Sequence, residues 1–161
     1  MKDGLSLLEV VFTVGIVALI VTGVVSLSTL GVRNAVFSRN NSLATRYTQE
    51  ALEWLRGERD AGWGSFIGNI ESDPTNNTFC IDSSPPSAWN NGACASTETI
   101  PSTIFLRQVI FTCYDSIDLS TTLDCGLPNV DIGEALVTVS WTDADKTHQV
   151  QSVTRLTNWR K

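Results

Sequence analysis

The chain lacks the short patterns that announce common chemistries: there is no Gly-x-Ser-x-Gly elbow, no His-Glu-x-x-His and no Gly-x-x-x-x-Gly-Lys phosphate loop. Its single histidine, His148, sits in a segment that reads as a hairpin strand, where a surface or sheet-face role is expected. Cys-x-x-Cys spacing is absent, which argues against a zinc site. Basic residues are outnumbered, 11 Lys and Arg against 17 Asp and Glu, giving a net charge of -6 and a pI near 4.6. Phosphate contacts need a basic footprint, so general nucleic-acid binding is not expected. The longest deficit is of charge: none occurs from Val10 to Val32. We expect no enzyme and no cofactor.

That run of 23 residues reaches roughly 35 Å at about 1.5 Å per residue, enough to cross a hydrocarbon core of about 30 Å. A removable signal peptide has an apolar region of about 7–15 residues and a small-residue cleavage site. No Ala-x-Ala pattern follows Val32, so a retained helix is expected. Just before the run stands Glu9, and an ionised carboxylate in a membrane helix costs about 2.5–3.5 kcal/mol at the centre and less near an end. Such a residue usually has a partner.

The order Gly4, then Leu5-Ser6-Leu7-Leu8-Glu9, then an apolar helix resembles the processing site of type IV prepilins and type II secretion pseudopilins. The family pattern is Gly, then Phe-Thr-Leu-x-Glu; here Leu5 and Ser6 replace Phe and Thr. The resemblance implies that residues 1–4 are a leader removed by a prepilin peptidase, that Leu5 becomes the methylated N-terminus, and that Glu9 pairs with a neighbour's amine during assembly. It also implies residues 5–32 as membrane and assembly helix, residues 33–161 as the exported domain, and an inner-membrane assembly platform and other pilin or pseudopilin subunits as partners. The leader holds one base, Lys2, beside Asp3, and an upstream start would supply more.

Four cysteines, Cys80, Cys94, Cys113 and Cys125, follow the span; an even count in a small exported domain reads as two disulfides and an oxidising compartment. Three pairings exist, and Cys80 with Cys94 and Cys113 with Cys125 is preferred because each pair flanks a polar, turn-rich loop. Topology by charge points the other way: Arg33, Arg39 and Arg46 follow the span and Lys2 precedes it, which alone would keep the domain inside. The cysteines and the processing motif outweigh it, giving a single-pass protein whose C-terminal domain lies outside the cytoplasm, then on a filament or the cell surface.

Beyond Val32 the apolar pattern becomes amphipathic, with Val36, Leu43, Tyr47, Leu52 and Leu55 near one helical face. One helix is predicted from about Leu5 to Asp60, about 84 Å long by the same rise, with a Glu53 to Arg56 surface pair. Gly57, Gly62, Gly64 and Gly68 are read as its end, and Trp63 and Phe66 as plugs in an exit loop. A polar loop is expected over residues 69–101, its tip including Trp89 either a contact surface or folded back. Strands are expected at Ile104–Tyr114, Ala135–Thr142 and Thr147–Thr157, with a turn at Asp143–Lys146 and a second loop from Asp115 to Gly133. Asp115, Asp118, Asp124 and Asp131 read as solvated acids and not a calcium loop, and Asn76-Asn77-Thr78 fits a glycosylation sequon.

The expected fold is α+β: a long N-terminal helix packed on an antiparallel sheet of three or four strands spanning residues 102–161. The stretch Ala51 to Trp63 and the closing Val137-x-Val139-x-Trp141 strand resemble V-type minor pilins and I-type pseudopilins. A filament subunit is the leading expectation. A type II secretion pseudopilin, or a monomeric anchored exodomain such as an adhesin, are the alternatives.

Overall fold

A computed structural model describes residues 7–71, 77–115, 122–127, 130–143 and 145–159. The chain divides into two compact units, residues 1–40 and 41–161. Helix α1 (Leu7–Ala61) contributes to both, followed by α2 (Trp63–Glu71), β1 (Thr78–Cys80), β2 (Asn90–Asn91), β3 (Leu106–Asp115), β4 (Thr122–Leu123), β5 (Val130–Asp143) and β6 (Lys146–Thr157).

In the second unit, α1 buries Ala44, Thr48, Ala51, Leu52 and Leu55. Steps of three and four residues place them on one stripe, as an amphipathic helix requires. Thr48 sits on the buried stripe without a polar penalty because its hydroxyl donates to Ala44 O at 2.8 Å. The stripe covers one face of a six-stranded antiparallel sheet of order β2-β1-β3-β5-β6, with β4 beside the end of β3. Alternation does the rest: Val109, Phe111 and Cys113 on β3 and Ala135, Val137, Val139 and Trp141 on β5 turn inward. Phe66, Phe79, Trp89 and Phe111 meet in one aromatic cluster with ring centroids 5.2–5.9 Å apart. Edge-on and tilted contacts of this kind add to the burial of each ring.

The α+β class and the end of α1 match expectation, and four readings need correction. Gly62 alone separates two helices; Gly57 lies within α1 and Gly64 and Gly68 within α2. Trp63 and Phe66 are therefore helical residues, with Ile67 and Ile70 completing an i, i+3, i+4, i+7 stripe. The sheet has six strands, since residues 78–80 and 90–91 pair within what reads as loop and Thr122–Leu123 pairs within the second. Strand β5 is longer than Ala135–Thr142, starting at Val130. Trp89 folds back, its ring 4.8 Å from that of Trp54 and its Nε1 donating to Glu58 at 3.4 Å.

Both disulfides join the preferred cysteines, Cys80–Cys94 and Cys113–Cys125. They close loops of 14 and 12 residues in sequence separation, each contributing about 3 kcal/mol in a loop-closure account. The first ties β1 to the chain beyond β2; the second ties β3 to the chain beyond β4. Gly92 makes the first return with φ +98°, a conformation that favours glycine, and its N–H donates to Thr78 O at 2.7 Å.

Arg107 occupies a core-facing position of β3 and is fully buried. Its guanidinium donates to Ile81 O at 3.1 Å, to Tyr47 O at 3.2 Å, to Glu50 Oε2 at 3.1 Å and to Ser83 O. Burial lowers its pKa from the ordinary value and Glu50 opposes that shift. Removing one member of a buried pair leaves the other uncompensated. Glu50→Ala is expected to cost about 2–3 kcal/mol, and a cycle with Arg107→Met to show coupling of at least about 1 kcal/mol, read from urea unfolding of the full chain by tryptophan fluorescence.

Candidate assembly surface

The first unit presents a helix whose apolar side chains all face outward. Leu7 is 82% exposed, Phe12 68% and Leu27 71% in this single chain. Every residue from Leu7 to Arg39 is exposed. Exposure on this scale marks a surface built for lipid or for other protein. α1 is long and apolar enough to cross a membrane.

Four hydroxyls within the apolar run are satisfied by the helix itself. Thr13 donates to Val10 O at 2.9 Å, Thr22 to Ala18 O and Leu19 O at 3.0 and 2.9 Å, Ser26 to Thr22 O at 2.9 Å and Thr29 to Val25 O at 2.9 Å. With the backbone already bonded inside the helix, such groups add little cost in hydrocarbon. Gly15, Gly23 and Gly31 have open space where a Cβ would stand. Their eight-residue spacing turns each about 80° around the helix from the last, so they do not form one stripe.

Glu9 lies close to the first described residue of α1. It is exposed and makes no hydrogen bond or ion pair among the described residues. Gly4 and Leu5, the cleavage and methylation residues implied by the resemblance, lie outside the described residues.

Other residues singled out in the sequence are dispersed. His148 stacks on Trp141 in the sheet, centroids 5.4 Å apart. Among the described residues no three His, Cys, Asp or Glu side chains come together as a metal site; Asp118 and Asn76 lie outside them. The Glu53 to Arg56 pair forms at the surface, where it contributes little. Sequence reasoning missed Arg107; its signal was a cation in the apolar register of β3, flanked two residues on by Val109. No family model matches the chain, and no curated protein and no solved structure matches it.

Because the hydroxyls are already bonded, Thr22→Val is expected to leave membrane association unchanged. Ile20→Asp, which puts a charge amid the run, costs about 2.5–3.5 kcal/mol of insertion free energy. Alkaline extraction of membranes reads both, with Ile20→Asp moving to the soluble fraction.

Proposed function

We propose that this chain is a structural subunit, a minor pilin, of a type IV pilus-like filament, with no catalytic role. The observation that carries the reading is the exposed, uncharged helix entered by a single carboxylate, Glu9, and running on in sequence into the helix that packs under a disulfide-closed sheet.

In this reading a prepilin peptidase cuts between Gly4 and Leu5 and methylates the new amine. The helix first holds the monomer in the inner membrane, domain outside the cytoplasm, until the assembly platform extracts it. The face that met lipid then meets other helices, a change between two apolar surroundings that needs no rearrangement of the domain. Carboxylate and amine attract most strongly where water is excluded. Glu9 is thus drawn to the methylated Leu5 amine of the adjoining subunit, which sets the axial register. A pseudopilin of a type II secretion fibre would use the same parts.

Intact mass and N-terminal sequencing of the protein from membranes test the class. Loss of Met1 to Gly4 with one added methyl on Leu5, only in cells holding the peptidase, is the expected result; an uncleaved chain in both strains would leave an anchored exodomain. Glu9→Ala is expected to insert normally and to enter fibres at least about tenfold less, measured by immunoblot of sheared filaments. Normal incorporation of that variant would remove Glu9 from assembly.

A further inference from the structure

The two long edges of the sheet are treated differently. β2 is two residues long and is held by the Cys80–Cys94 loop. β6 is twelve residues long, and among the described residues no strand pairs with its outer side. Natural edges are usually blunted by charge, proline, bulges or brevity. From Thr147 to Thr154 β6 has no Lys, Arg, Asp, Glu or Pro, and its register with β5 runs from Ile132↔Thr157 to Asp143↔Lys146 without a shift.

Which backbone groups face outward follows from one bond. Asn158 N donates to Asp131 O at 2.9 Å, opposite it in the same register. Hydrogen-bonded residues alternate in an antiparallel ladder. Even-numbered residues of β6 therefore bond β5, and Thr147, Gln149, Gln151, Val153, Arg155 and Thr157 turn N–H and C=O outward. Only an extended backbone matches such a row.

We propose that this edge pairs antiparallel with the β6 edge of a second copy of this chain. The occupant must bring a long open edge of its own, and this chain brings a matching one. A continuous sheet of this kind has its two-fold axis normal to the sheet, which keeps inner faces together and restricts opposed residues to pairs of even sum. Lys146 and Arg155, the strand's Lys and Arg, sum to an odd number and never face each other. Centring the axis on Ser152 uses the whole row: Gln151 opposes the partner's Val153, Gln149 the partner's Arg155 and Thr147 the partner's Thr157. At two bonds per hydrogen-bonded pair this makes about twelve, within the usual range of about 10 ± 5 for a specific interface. The rotation reverses the Asn41–Ala61 segment between copies, so this pair is a separate association from the one-way stacking proposed for the anchor helices.

Ser152 opposes itself across the axis as a non-hydrogen-bonded pair, about 4.5 Å between Cα atoms, within disulfide reach. Ser152→Cys in the purified full chain in detergent is expected to give a disulfide-linked dimer on mild oxidation, at least about tenfold more than Gln149→Cys. Gln151→Pro removes an outward N–H that β5 does not use; added to Ser152→Cys it is expected to lower the dimer about tenfold with an unchanged circular dichroism spectrum. Val153→Lys, an exposed position, gives the same loss by charge and serves if the proline variant misfolds. A dimer at Gln151→Cys instead would shift the axis by one residue and still support the pairing. Failure of both cysteine variants to link, or a dimer that survives Gln151→Pro and Val153→Lys alike, would overturn it.

Discussion

The second unit is organised around a fully buried cation. Arg107 reaches α1 through Tyr47 O and Glu50, and the chain after β1 through Ile81 O and Ser83 O. After Cys80 that chain leaves the β1 ladder, so its carbonyls need donors other than a neighbouring strand. One guanidinium, with five donors in a fixed fork, supplies them. An apolar residue at this inward position would have packed the core and left those oxygens without partners. Arg107 is therefore what lets an irregular segment lie against a helix and a sheet, at the cost of burying a charge that Glu50 offsets.

That placement has consequences along the sheet. With residues 81–83 fixed, the chain can return over the core, bring Trp89 among Phe66, Phe79 and Phe111, and close Cys80 to Cys94. One edge of the sheet is thereby shortened and stapled. The other edge, β6, enters its ladder with β5 at Asp143↔Lys146, just after Asp145 at φ +65°, and carries no such device. Protection on one side alone is what leaves β6, and not β2, open to the pairing proposed above.

Most of this was legible where a single period governs a long segment. The apolar run, the amphipathic half of α1 and the β5–β6 hairpin each repeat one signal over ten or more residues, and the structure follows them. What escaped lies where short-range chemistry contradicts the larger arrangement. In α2, Gly64 and Gly68 sit on the exposed side while Trp63, Phe66 and Ile70 turn toward the core, so burial overrides low helix propensity. β1 and β2 are three and two residues long, too short for alternation, and exist because β3 offers an edge and a disulfide holds them there. Three of the four acceptors around Arg107 are backbone carbonyls, which any residue type supplies, so its place in the apolar register of β3 was the one mark the sequence carried. The cysteine pairing was legible because two polar loops stood between the right neighbours.

The exposed half of α1 poses a different problem, since it satisfies nearly all of its own polar groups. Backbone and hydroxyl bonds are internal, so its contacts with lipid or with another helix are non-directional, and apolar surfaces of Val, Leu and Ile slide past one another at little cost. A fibre built from such surfaces alone would lack a fixed axial repeat. One polar group in an apolar interface supplies what packing does not, just as a single polar residue fixes register in a coiled coil, because every misplaced register buries it without a partner. Glu9 is the one charge that α1 carries before Arg33. Its value to assembly, in the function proposed here, lies less in the energy of one ion pair than in the penalty attached to every other alignment.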